Sequence, residues 1–125
     1  MVIAVLVTTV AAFVASAAWY TAFGRVRARL SPAGAASGPS PWRMGAEFAR
    51  TLVLVTAFAL LTAAVGVDGI AGALGLALAV WAGFPAVILA GSVLHERVPV
   101  RLAALHAGDW LVKLTLVAAV LSVWR

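Results

Sequence analysis

Four long apolar segments decide what this chain can become. They run from about Val2 to Phe23, Phe48 to Val67, Ile70 to Leu94 and Leu102 to Trp124. Each has at least ~20 residues, which at ~1.5 Å per residue crosses a ~30 Å hydrocarbon core. A backbone in lipid must satisfy its own N–H and C=O groups, so each segment is expected to be a helix. The short alternating segments of a membrane β-barrel do not occur in the sequence. The expected fold is all-α: a polytopic, antiparallel four-transmembrane-helix bundle, one domain over residues 1–125. Composition agrees, since 65% of the residues are hydrophobic and 10% charged, far from the balance of a soluble domain.

The connectors set the orientation. "GRVRARLSPAGAASGPSPWR" (Gly24 to Arg43) is basic at both ends and rich in Gly, Pro, Ser and Ala between them, so residues 24–45 read as a flexible loop. "GVDG" (Gly66 to Gly69) is a tight turn, and "HERVPVR" (His95 to Arg101) is short and basic, with Pro99 placed to open the fourth helix. Arg25, Arg27, Arg29, Arg43, Arg97 and Arg101 then fall on one side of the membrane and Asp68 on the other. The positive-inside rule puts the arginine loops in the cytoplasm and both termini outside, with Arg125 the single opposing charge. Orientation in a bilayer, rather than a nucleic-acid partner, accounts for the net charge of +5. Trp19, Tyr20, Trp42 and Trp124 lie near span ends, where amphipathic rings prefer the headgroup level. The first span carries a competing reading, because "ASAAW" (Ala15 to Trp19) contains the A-x-A pattern of a signal-peptidase site. No Lys or Arg precedes the apolar run, which favours a retained helix.

Helices in lipid associate through close packing, because lipid tails are as apolar as leucine. The third segment offers small residues four apart at Ala71, Gly75, Ala79 and Gly83, and these are the expected packing face, with Ala11 and Ala15 of the first segment as the opposing groove. Pro85 removes a backbone donor within the third segment and is expected to kink it. The short connectors should place consecutive helices side by side.

The stretch "LHAGDWLVKL" (Leu105 to Leu114) sets three ionisable groups into an otherwise apolar span. At ~100° per residue, His106, Asp109 and Lys113 fall within a ~60° arc of one helix. Lys113 lies near the bilayer midplane, where an unpaired charge costs ~2.5–3.5 kcal/mol. Asp109 precedes it by four residues, the favourable order for an intrahelical ion pair. The stripe either ties the fourth helix to its neighbours or lines a small aqueous or proton-accessible cavity. His95, Glu96 and Glu47 are expected to gather with it at the cytoplasmic mouth as candidate ligand- or ion-binding residues. No H-x-x-x-H or H-E-x-x-H spacing occurs, so no metal site is assigned. Ser92 and Ser122 have no G-x-S-x-G around them, and the chain has no cysteine, so neither hydroxyl nor thiol catalysis has a motif to rest on. No cofactor is implied.

The order of features carries a resemblance. "AAWYTAFG" (Ala17 to Gly24) ends the first span, "WRMGAEF" (Trp42 to Phe48) enters the second, and "HERVPVRLAALHAGDWLVKL" precedes a final tryptophan. The W-Y-x-x-F-G element (Trp19, Tyr20, Phe23, Gly24) and residues 102–124 carry most of the likeness, which covers nearly the whole chain. In these the chain resembles the domain of unknown function 1761 family, small bacterial integral membrane proteins with four helices. The resemblance implies a multi-pass protein of the bacterial inner (plasma) membrane and assigns no catalytic or binding residue.

Two functions follow as expectations. The polar stripe and the kinked third helix suit a small transporter, channel or proton-coupled protein. The small size and the small-residue stripe suit a structural or accessory subunit of a larger membrane complex. Either way the partners are the lipid bilayer and, given the little volume four helices enclose, further copies of the chain or other subunits. An enzyme has only two histidines and a few acids behind it.

Overall fold

A computed structural model describes residues 1–31 and 40–124. Six helices make up the described chain: α1 (Val2–Ala22), α2 (Gly24–Leu30), α3 (Pro41–Val65), α4 (Gly69–Gly83), α5 (Pro85–Glu96) and α6 (Val100–Trp124). With α4 and α5 taken as one broken rod, four of these units are long and apolar enough to cross a membrane. The result is an antiparallel four-helix bundle with no strand among the described residues.

The helix ends explain where the hydropathy reading went astray. The loop expected over residues 24–45 is helical on both flanks, and its middle, 32–39, lies outside the described residues. On the near side, α2 continues almost directly from α1 through Phe23. On the far side, α3 begins seven residues before the expected Phe48, because the Ser40 Oγ accepts from Arg43 N (3.4 Å) and Pro41 occupies the first turn. Charged and polar residues in those two turns hid the helix from hydropathy. At the other end of α3, Gly66 adopts φ +77° and its N–H returns to the Thr62 carbonyl. This left-handed cap suits glycine. The third span is bent as Pro85 foretells, but as a break: α4 stops at Gly83, Phe84 leaves helical geometry (φ −121°, ψ −78°), and Pro85 opens α5.

The final helix, α6, is the hub. It packs against α1, α4 and α5 extensively, and against α2 and α3 lightly. α3 packs instead on α1. The tight turn at 66–68 therefore does not lay α3 against α4; that pair is not among the packed ones. Both hairpins, α1 with α3 and α4/α5 with α6, are internally paired. The core that joins them is built from small and medium side chains: Ala4 and Ala12 of α1, Val55, Phe58 and Ala59 of α3, Ala73 and Ala77 of α4, and Leu114, Val117, Ala118 and Leu121 of α6.

The packing face of α4 is a correction. Ala73 and Ala77 face inward, whereas Ala71, Gly75, Ala79 and Gly83 are all exposed on the outside of the bundle. Both sets are small and evenly spaced, so spacing alone could not choose between them. The side turned inward also carries Leu74, Val80 and Trp81, which pack against the core. Core threonines cost little, because Thr8, Thr9 and Thr62 each donate to a carbonyl of their own helix (2.6, 2.7 and 2.8 Å).

Candidate functional site

The polar stripe of α6 faces protein. Asp109 is 3% exposed and Lys113 5%, both on the side met by α1 and α3. The two form an i,i+4 ion pair, Lys113 Nζ to Asp109 Oδ2, at 3.3 Å. The other carboxylate oxygen of Asp109 accepts from the Ser16 hydroxyl of α1 at 2.7 Å. Lys113 Nζ also reaches Glu47 Oε1 of α3 at 3.3 Å, and Glu47 Oε2 holds Arg50 at 2.6 Å. A chain of five side chains, Ser16–Asp109–Lys113–Glu47–Arg50, thus ties three helices together, running from the buried Asp109 and Lys113 out to the exposed Arg50. Among the described residues, no buried side-chain N or O lacks a partner. Such satisfaction keeps ionised groups tolerable inside a membrane.

One turn nearer the arginine end, the Tyr20 hydroxyl and His106 Nδ1 lie 2.6 Å apart. Tyr20 and Ser16 are four residues apart on α1, while His106 and Asp109 are three apart on the antiparallel α6, so the two polar steps interlock. Trp19 of α1 and Trp81 of α4 fix α6 from two sides. Their indole N–H groups donate to the carbonyls of Leu105 (3.1 Å) and Ala107 (2.9 Å). Close to those carbonyls, Gly108 lets the Trp19 ring lie flush on the helix: a β-carbon there would sit 2.5 Å from Trp19 Cζ2.

These groups border a half-open cavity of about 910 Å³. Asp109, Lys113 and Ser16 lie at its floor, Tyr20 and His106 on its wall, and Arg27, Arg43 and Arg50 line it from α2 and α3. Glu47 lines it too, since the early start of α3 carries this residue two turns into the helix. His95 and Glu96 do not join: both are exposed at the end of α5, and neither lines the cavity. The left-handed cap at Arg97 (φ 54°) ends α5 there. No group of three or more His, Cys, Asp or Glu side chains among the described residues is placed to hold a metal ion.

Sequence reasoning missed Ser16 and did not assign Arg27, Arg43 or Arg50 to the site, and it read Tyr20 only as a headgroup-level ring and a mark of the resemblance. For Ser16 and Tyr20 the chemistry lies in their hydroxyls. Their signal was present, as hydroxyls four apart on an apolar helix, but it needed the antiparallel pairing with α6 to have meaning. Trp19, Trp81 and Gly108 are visible only as a three-dimensional set.

Fold and site together define a multi-pass, all-helical membrane protein with a polar, ion-paired centre. The family is equally plain. The model of the family described as "Protein of unknown function (DUF1761)" matches residues 3–122, and the chain belongs to that family. No curated protein and no solved structure matches the chain.

Proposed function

We infer that the protein moves protons or small ions, alone or coupled to a solute, through the cavity whose floor is the Asp109–Lys113–Glu47 chain. The carrying observation is the placement of that chain: three charged side chains, Asp109 and Lys113 buried within the span and Glu47 two turns into α3, ion-paired through Lys113 yet bordering a half-open cavity. Intramembrane ionisable groups that border a cavity suit ion and proton pathways. Beyond the floor, buried Leu114, Val117, Ala118 and Leu121 close the way through the bundle. Passage therefore requires a rearrangement, and the break at Phe84–Pro85 is the natural place for it. The positive-inside rule places the cavity mouth in the cytoplasm and both termini outside. Single cysteines at Asp68 and Arg97, both exposed and at opposite ends of the bundle, should label from opposite faces of the membrane.

The test is flux in proteoliposomes. Proton or cation flux that is lost in Glu47→Gln, with the bundle still folded, supports the reading. Wild-type vesicles no leakier than empty ones would overturn it. A second reading, an accessory subunit or a homo-oligomer, draws on the outward stripe of Ala71, Gly75, Ala79 and Gly83, which would let a further helix approach closely. Co-purification of a stoichiometric partner after mild solubilisation, lost when Gly75 is changed to leucine, would favour it.

A further inference from the structure

The cavity holds more cation than its own acids neutralise. Four cationic side chains line it, Arg27, Arg43, Arg50 and Lys113, against two carboxylates, Glu47 and Asp109. Both carboxylates are fully engaged. Asp109 takes Ser16 and Lys113, and Glu47 takes Lys113 and Arg50. Arg27 and Arg43 have no carboxylate partner among the described residues. Each lies instead over an aromatic ring, Arg27 over Tyr20 at 5.0 Å and Arg43 over Trp42 at 5.5 Å. A ring contact engages no carboxylate, so the guanidinium N–H groups remain for the bidentate fork that grips phosphate or carboxylate.

The cavity is also open sideways. Met44 of α3 and Leu89 of α5 both line it, yet α3 and α5 are not among the packed helix pairs. Both helices belong to spans, so the gap between them opens on the bilayer, with its Met44 side near the headgroup level. Apolar Phe13 and Trp110 continue the lining inward. An anion that fills this space must present a charged head to Arg27 and Arg43 and an apolar body to the gap.

We propose that the cavity binds the phosphate headgroup of an anionic phospholipid, entering between α3 and α5 from the leaflet at the arginine end, with Arg27 and Arg43 as its ligands. The proposal does not depend on ion passage, because it rests on residues outside the Asp109–Lys113–Glu47 chain and is read by binding alone. Free phosphate shares the headgroup chemistry. The sideways opening and the apolar lining favour the lipid.

The test uses the intact chain in detergent, titrated with phosphatidylglycerol or phosphatidylcholine and read by native mass spectrometry. One phosphatidylglycerol should bind at concentrations where phosphatidylcholine does not. The Arg27→Gln/Arg43→Gln double variant should weaken that binding by about tenfold or more, the scale of one lost charge-assisted contact. Arg25→Gln/Arg29→Gln, which removes two arginines of α2 that do not line the cavity, should leave it within about twofold, as expected for charges that only add to the surface field. Equal binding of both lipids, or equal loss in the two double variants, would overturn the proposal in favour of diffuse attraction. Binding of inorganic phosphate with no phosphatidylglycerol adduct would overturn the lipid source. Circular dichroism checks the fold of each variant. If the double variant unfolds, Arg27→Gln and Arg43→Gln singly serve the same comparison, and unchanged binding in both would overturn the proposal as well.

Discussion

The two halves of α6 lie in the same bilayer and belong to one continuous helix, but they are held in different ways. From Val100 to Lys113, the contacts are directional: indoles to carbonyls, a tyrosine to a histidine, a serine and a lysine to an aspartate. From Leu114 onward, the contacts are those of close packing, with Leu114, Val117 and Ala118 completely buried against alanines and Val55. The polar half borders a cavity of about 910 Å³, and the apolar half borders a pocket of about 210 Å³ between Met1, Ala4, Ala59, Leu121 and Trp124. Hydrogen bonds fix a few atoms and tolerate empty space around them, whereas dispersion forces demand that the space be filled. A protein that needs both a rigid hub and a hollow site can obtain them from one helix by changing its chemistry halfway.

The comparison is sharpest where the polar half is broken. Lys113→Met would leave Asp109 and Glu47 without their shared cation, and the loss of one member of a buried ion pair costs ~3–5 kcal/mol in soluble cores. The double variant Asp109→Asn/Lys113→Met should lose less, because the new amide side chain keeps a partner in Ser16 and Glu47 keeps Arg50. Thermal unfolding in detergent reads both, and additive losses would mean that Asp109 and Lys113 are not coupled. In the apolar half, Leu114→Ala should cost about 2 kcal/mol, the cavity term alone, since transfer of leucine to lipid contributes nothing. A loss equal to that of Lys113→Met would erase the proposed difference between the halves. Next, Gly108→Ala should destabilise by ~1–2 kcal/mol, as overpacking does, because its new methyl meets a Trp19 ring pinned by its hydrogen bond. Adding Trp19→Phe should recover most of that loss; no recovery would place the strain elsewhere. The smallest effect is expected for Tyr20→Phe, about 1 kcal/mol for one hydrogen bond, seen as a modest fall in the unfolding midpoint.

The sequence made the architecture legible because hydrocarbon thickness and backbone hydrogen bonding leave so few options. Span number, the break at Pro85 and the ionisable stripe of α6 follow from hydropathy and spacing. Helix starts were less legible. Ser40–Pro41 is a recognisable start signal, but it lies ahead of the apolar run, which masks it. The inward face of α4 was not legible at all, because Ala71 and Gly75 differ from Ala73 and Ala77 in no property that spacing can weigh. For the site, the α6 residues were readable one by one. The contributions of Ser16 and of Glu47's side chain depend on which helices meet, and the turn at 66–68 points to a neighbour, α4, that α3 does not adopt.

The position of α6 in the chain bears on how the protein is made. The helix that the others converge on leaves the ribosome after them, and with a mean hydropathy of 1.5 it is the least greasy of the four spans. It must enter the bilayer before Ser16 and Glu47 can be reached. During that step Lys113 has one counter-charge at hand, Asp109, a single turn behind it on the same helix. The pair is thus a travelling companion for membrane insertion, and the bonds to α1 and α3 form when the helix docks. Translocon-mediated insertion of α6 alone should therefore respond to Asp109→Asn, although that helix has by then met none of its partners.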